Sequence, residues 1–154
     1  MYYRCQNSKT QRVTAQIVCG VAMLLCGCAI YLLFRSKTIN LYQWCSMLGF
    51  SDVIDSLRMS ISAWRISDFV RFSLPDGLYC ISYILLMDAV WPDDGNFKYF
   101  AVSFIPVVAV MHEMAQLFGL ARGTFDIADL LCYLAPLVVY YVIKKNFCSL
   151  LLLT

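Results

Sequence analysis

The sequence predicts an all-α, multi-pass membrane protein that crosses a bilayer about four times, and three observations carry that prediction. Of its 154 residues, 61% are hydrophobic and only 14% charged, with a mean hydropathy of +0.69, values well outside the usual range of a soluble domain. The charges fall into short clusters rather than spreading evenly. Between the clusters lie apolar stretches of about twenty residues, the length that crosses roughly 30 Å of hydrocarbon at about 1.5 Å per residue. A chain of this size has room for a single transmembrane bundle over residues 1–154.

The first span covers about residues 13–34 without one charge, and Arg4, Lys9 and Arg12 precede it. The apolar run is longer than a secretory signal core, and Phe34-Arg35-Ser36-Lys37 offers no small-residue cleavage site, so the segment reads as an uncleaved signal anchor. A second span, about 74–91, opens at Leu74-Pro75-Asp76-Gly77 and closes at the turn signal Pro92-Asp93-Asp94-Gly95. Pro75 suits a first helical turn, where a missing N–H costs nothing, and Asp76 suits the positive end of the helix dipole. The third and fourth spans cover about 99–119 and 126–143, the last closed by Lys144-Lys145. Short connections make the last three spans antiparallel neighbours.

The polar segment at about 35–73 is too small for a domain and too long for a tight hairpin. Within it Phe50, Val53, Ile54, Leu57, Ile61 and Trp64 recur at helical spacing, while Asp52, Asp55 and Arg58 fall on other faces. An amphipathic helix capped by Ser51 and lying in the headgroup region is expected, with Trp44 and Trp64 near the interface. The alternative is a solvated loop. Arg4, Lys9, Arg12, Lys144 and Lys145 place both termini in the cytoplasm, although Arg35, Lys37 and Arg71 oppose that orientation.

Eight cysteines are present. Cys19, Cys26, Cys28, Cys80 and Cys132 lie inside spans, Cys5 and Cys148 near the ends, and only Cys45 in the long loop. That distribution implies no disulfide framework, and no pair has zinc-ligand spacing.

The remaining polar residues converge. His112, Glu113 and Gln116 lie in the last third of the third span, Arg122 in the turn after it, Asp126 and Asp129 at the start of the fourth, and Asp76 at the start of the second. Antiparallel threading gathers all seven at one membrane face, extracytoplasmic if the termini are inside. Glu113 lies about 9 Å deep by the helical rise. A charge at bilayer depth costs about 2.5–3.5 kcal/mol unless it is paired or reaches water, and Arg122 is the natural partner because a guanidinium pairs a carboxylate through two bonds. Plainer readings stand beside this one: Asp126 as the cap of the fourth helix and Asp129 as its first-turn acid, Glu113 with Arg122 as a structural clasp, and His112 as an ordinary hydrogen-bonded histidine.

His112-Glu113-Met114-Ala115-Gln116 is similar to the zinc-protease pattern of two histidines one turn apart, but Gln116 replaces the second and the chain has no other histidine. No metal site is therefore expected. No Gly-x-Ser-x-Gly nucleophile motif is present either.

Glu113-Met114-Ala115-Gln116-Leu117-Phe118 followed by Arg122-Gly123-Thr124-Phe125-Asp126-Ile127-Ala128-Asp129-Leu130 resembles the signature of the VanZ-like membrane proteins. Pro75-Asp76 resembles that family's first aspartate motif, so the likeness covers roughly the second half of the chain. Gly77 and Cys80 stand where members carry a basic residue and a histidine, and Tyr133, Ala135 and Pro136 where members carry asparagine and glycines. The resemblance implies a bacterial cytoplasmic-membrane protein of the class that includes a teicoplanin-resistance accessory protein.

The polar cluster suits binding or modification of a lipid-linked or cell-envelope molecule, with Arg122 as anion contact and Glu113 as base or acceptor. The alternative is a non-catalytic structural or partner-docking protein, and the sequence leaves open whether the chain is an enzyme. Expected partners are membrane lipids and such an envelope ligand. Nothing points to nucleic acid, no cofactor is implied, and no oligomeric state is set.

Overall fold

The structure, a computed structural model, describes the backbone of residues 2–91 and 95–151 and the side chains of residues 10–91 and 95–145. The turn at Pro92-Asp93-Asp94 and the side chains of Arg4, Cys5, Lys9 and Cys148 lie outside the described residues. The described residues form helices α1 (Tyr2–Phe34), α2 (Asn40–Met47), α3 (Ser51–Ser60), α4 (Asp68–Val90), α5 (Asn96–Leu117) and α6 (Ile127–Leu151), and no strand. The stretches Thr10–Phe34, Asp68–Val90, Asn96–Leu117 and Ile127–Lys145 are long and apolar enough to cross a membrane. The chain is an all-α multi-pass membrane protein.

Helix α4 is the axis of the bundle, packed against α1, α5 and α6, and its most extensive seam is with α1. Small residues let the backbones approach: Gly20 faces Leu86, Gly27 faces Tyr79, and Gly77 faces Cys132. The buried core is correspondingly thin, consisting of Cys80, Ile84 and Val102 with Met87, Tyr133, Leu137 and Tyr140 packed around it. The outer faces of α5 and α6 expose Phe100, Phe104, Val108, Met111, Val138, Val139 and Val142. An apolar exterior around self-satisfied helices is what hydrocarbon requires.

Several boundaries differ from expectation: α1 begins at Tyr2 rather than near residue 13, and α6 runs past Lys144-Lys145 to Leu151. Helix α4 begins six residues before Leu74, at Asp68, where the Ser67 hydroxyl accepts the Val70 N–H at 3.4 Å. Pro75 therefore lies inside the helix rather than in its first turn, and Asp68, not Asp76, is the first-turn acid. Pro75 is fully buried, and packing against neighbours is what lets membrane helices keep internal prolines; Pro106 inside α5 is fully buried as well, and Pro136 inside α6 is half-buried. Helix α5 ends in a Schellman motif: Gly119, at φ 69°, donates to Gln116 O at 3.0 Å, and Leu120 donates to Ala115 O at 2.8 Å.

The long loop holds two short helices. The expected amphipathic helix is α3, and Phe50 rather than Ser51 occupies its N-cap, with no side-chain capping bond. Ile54 is buried, whereas Phe50, Val53, Leu57 and Trp64 are exposed in company with Trp44 and Met47 of α2. That exposed apolar stripe suits a helix in the membrane interface. The polar side clamps α3 to the end of α1: Arg58 Nε donates to Leu32 O at 2.7 Å, one of the carbonyls a helix terminus leaves unpaired. Asp55 accepts from Lys37 at 2.6 Å and from the Tyr42 hydroxyl at 3.1 Å. The Lys37 hydrogen bond holds the Asp55 carboxyl below its ordinary range.

Candidate functional site

Antiparallel threading puts the ends of α1 and α5 beside the starts of α4 and α6, and the acids collect at this loop-side end. Asp126 caps α6, its Oδ1 accepting the Ala128 N–H at 2.8 Å. Glu113, 5% exposed, reaches back so that its Oε2 accepts the Asp126 N–H at 3.4 Å. Gln116 is held by the turn: Gly123 has φ 132°, and a Cβ there would fall 2.7 Å from Gln116 Nε2. Asp76 accepts the Tyr133 hydroxyl at 3.2 Å and lies within electrostatic reach of Asp129, Glu113 and Arg35. Of the seven predicted residues, the structure brings together Asp76, Glu113, Asp126 and Asp129, while Gln116 is placed against Gly123. His112 and Arg122 are exposed.

The expected Glu113–Arg122 pair is not formed. The chain reversal at Gly119 carries Arg122 to the surface, and a backbone amide supplies the partner that Glu113 needs. Glu113→Ala should therefore cost about 1–3 kcal/mol through the orphaned Asp126 N–H, while Arg122→Ala should stay within about 0.5 kcal/mol. Thermal unfolding of the two variants and the double variant in detergent should be additive within about 0.5 kcal/mol. A larger coupling would restore the pair.

The cation that does face this end is Arg35, at the end of α1. Its Nη2 donates to Phe72 O at 3.3 Å, and its guanidinium lies 4.5 Å from the Tyr31 ring centroid and 4.9 Å from that of Phe72. It opens onto a cleft of about 460 Å³ lined also by Asp68, Phe69, Ser73, Thr124, Asp126 and Asp129. Two buried atoms of the lining, Arg35 Nε and Asp129 Oδ1, have no hydrogen-bond partner. Among the described residues no ion pair joins Arg35 to Asp68, Asp126 or Asp129. The antiparallel threading that groups the other acids also predicts this juxtaposition, once α4 is known to start at Asp68.

A second polar cluster, which the sequence pattern did not reveal, ties the opposite, terminal end of the bundle. Asp88 of α4 accepts from Gln16 of α1 at 2.6 Å and from the Tyr140 hydroxyl of α6 at 2.7 Å. It pairs with Lys98 of α5 at 3.0 Å and Lys144 of α6 at 3.2 Å. Asp88 and Lys98 are 8% and 5% exposed, so one carboxylate links all four spans inside the protein.

Comparison of the chain with protein-family models, with curated proteins and with solved structures finds no match.

Proposed function

We propose that the chain is a binding protein of the bacterial cytoplasmic membrane, which takes the polar headgroup of a lipid-linked or cell-envelope molecule into its loop-side cleft. The carrying observation is that a guanidinium and three carboxylates share about 460 Å³ without pairing. Arg35 and Asp129 are half-buried, a charge near hydrocarbon is costly unless paired or hydrated, and a polar ligand offsets that cost. The VanZ-like run from Glu113 to Leu130 supports an envelope role, and two of the cleft's acids, Asp126 and Asp129, belong to it.

The purely structural reading loses weight because the Asp88 cluster already ties the four spans together at the other end. Glu113 is occupied by a backbone amide and Arg122 faces outward, so contact with the ligand passes to Arg35, Asp126 and Asp129. To test the reading, lipids that co-purify with the protein are quantified by mass spectrometry. Arg35→Gln and Asp129→Asn should each lower the retained amount about tenfold while the thermal transition stays in place. Retention equal to wild type in both variants would defeat the proposal.

The orientation belongs to the same reading. The acid-free arm with Arg4, Lys9 and Arg12, and Lys144-Lys145 at the other end, favour cytoplasmic termini, which opens the cleft to the outer leaflet. A reporter fused after Ser60 should then be active outside and one fused at Asn96 inside. Reversed signals at both sites would turn the cleft to the cytoplasm.

A further inference from the structure

We infer that the ligand of the loop-side cleft is a zwitterionic lipid headgroup, a phosphodiester carrying a primary ammonium, as in an aminophospholipid. The inference rests on the headgroup-binding reading above and names the chemistry that the cleft selects. Three features of the lining lead to it.

The first is charge balance. Three carboxylates, Asp68, Asp126 and Asp129, face one guanidinium, Arg35, and two further acids, Asp76 and Glu113, lie behind the wall. A site of that balance repels a headgroup with only negative charge, and it holds one whose cationic end offsets the acids.

The second is separation. Arg35 is fixed by Phe72 O and by the rings of Tyr31 and Phe72, so its planar fork cannot swing over to a carboxylate. It keeps Nε buried and unpartnered while Asp129 keeps Oδ1 in the same condition. The guanidinium on one side of the cleft and the carboxylates on the other match a phosphate at one end and an ammonium at the other. A guanidinium suits the phosphate, and an ammonium supplies three donors to the carboxylates. Asp129 is half-buried whereas Asp68 and Asp126 are exposed, so its charge is the least screened by water and it is the strongest of the three ammonium contacts.

The third is the rim. Phe69 and Phe72 are 48% and 40% exposed on the first turns of α4, at the end of a stretch long and apolar enough to cross a membrane. They offer apolar surface to a ligand with a hydrocarbon tail, which a soluble ammonium phosphodiester lacks.

The test uses the full chain in detergent and native mass spectrometry with phosphatidylethanolamine, phosphatidylglycerol of the same acyl chains, and soluble glycerophosphoethanolamine. Phosphatidylethanolamine should bind at least about tenfold more tightly than phosphatidylglycerol. Asp129→Asn should abolish that preference, weakening phosphatidylethanolamine and strengthening phosphatidylglycerol as one repelling charge is lost, and Arg35→Gln should weaken both lipids. Glycerophosphoethanolamine should fail to displace the lipid at equal concentration. Equal binding of the two lipids, with Arg35→Gln weakening both and Asp129→Asn without effect, would overturn the zwitterion and leave headgroup binding standing. Displacement by the soluble compound at equal concentration would overturn the lipid assignment. Lipid binding that neither substitution alters would defeat both readings. Asp126→Asn, measured in parallel, should reduce the preference less than Asp129→Asn, and each variant is scored only against its own unfolding curve.

Discussion

Replacing Asp88 with alanine is expected to destabilise the bundle by about 3–5 kcal/mol, the usual cost of removing one partner from a buried ion pair. Asp88 accepts from Gln16 at 2.6 Å and Tyr140 at 2.7 Å and pairs with Lys98 at 3.0 Å and Lys144 at 3.2 Å. Its removal therefore withdraws one acceptor from side chains on the three other spans at once, and Lys98, 5% exposed, loses this counter-charge. Asp88→Asn should lose less, because an amide oxygen still accepts a hydrogen bond while the charge is gone. Unfolding in mixed micelles gives the values directly. A cycle with Lys98→Ala should show coupling of about 0.5–3 kcal/mol. A loss below about 1 kcal/mol for Asp88→Ala, or strict additivity with Lys98→Ala, would show that the cluster is hydrated and does not tie the helices.

Burying such a pair is not an efficient source of stability, since well-packed apolar residues often do as well. What it supplies is registry. Hydrocarbon gives four apolar helices little reason to prefer one rotation or vertical offset over another. A carboxylate that must meet groups on α1, α5 and α6 admits only one arrangement of the four. Fixing the terminal end in this way leaves the loop-side end free to hold its charges apart, as the cleft requires.

The four spans were legible because apolar length against bilayer thickness is a strong, local signal. The start of α4 was not. Pro75-Asp76-Gly77 punctuates the sequence at the point where an otherwise polar segment turns apolar, whereas the actual cap, Ser67 before Asp68, sits among polar residues that hide it. That error concealed Asp68 and left Arg35 unassigned to the site. Antiparallel threading alone puts Asp76, Glu113, Asp126 and Asp129 at one end of the bundle, where the structure has them. The partner of Glu113 did not follow from it, because the depth of a carboxylate demands a donor without saying which, and the reversal at Gly119 and Gly123 decided for the Asp126 amide. Lys98 lies ten residues after Asp88 across a short connection and was within reach of the same threading argument. Gln16 was not, since nothing local marks a glutamine near the start of a span as the partner of an acid 72 residues away.

The seam between α1 and α4 makes the remaining large effect a question of sign. In a helix interior, glycine to alanine normally stabilises by about 1 kcal/mol through propensity. At Gly27 an added Cβ would fall 2.8 Å from Tyr79 Cε1, and at Gly20 it would fall 2.9 Å from Leu86 Cγ with Ser82 O at 3.4 Å. Tyr79 cannot yield freely, since its hydroxyl reaches Cys28 Sγ at 3.7 Å and its ring lies 6.0 Å from that of Tyr31. Alanine should therefore destabilise at Gly27, against the propensity trend, whereas at Gly20 the flexible end of Leu86 can give way and the effect should be small. Leucine should cost about 1–3 kcal/mol at each site by overpacking. The two glycines are about 10 Å apart along the helix, far enough for the losses to add, so the double leucine variant should lose about 2–6 kcal/mol. Thermal unfolding in detergent distinguishes the outcomes. Shortening the obstacle is the complementary check: Tyr79→Ala in the Gly27→Leu background should recover part of the loss, because the new side chain then fills the space the ring vacates. A higher melting temperature for Gly27→Ala would mean that the helices stand further apart than this packing requires, and would remove the close seam that sets Arg35 beside the first turns of α4.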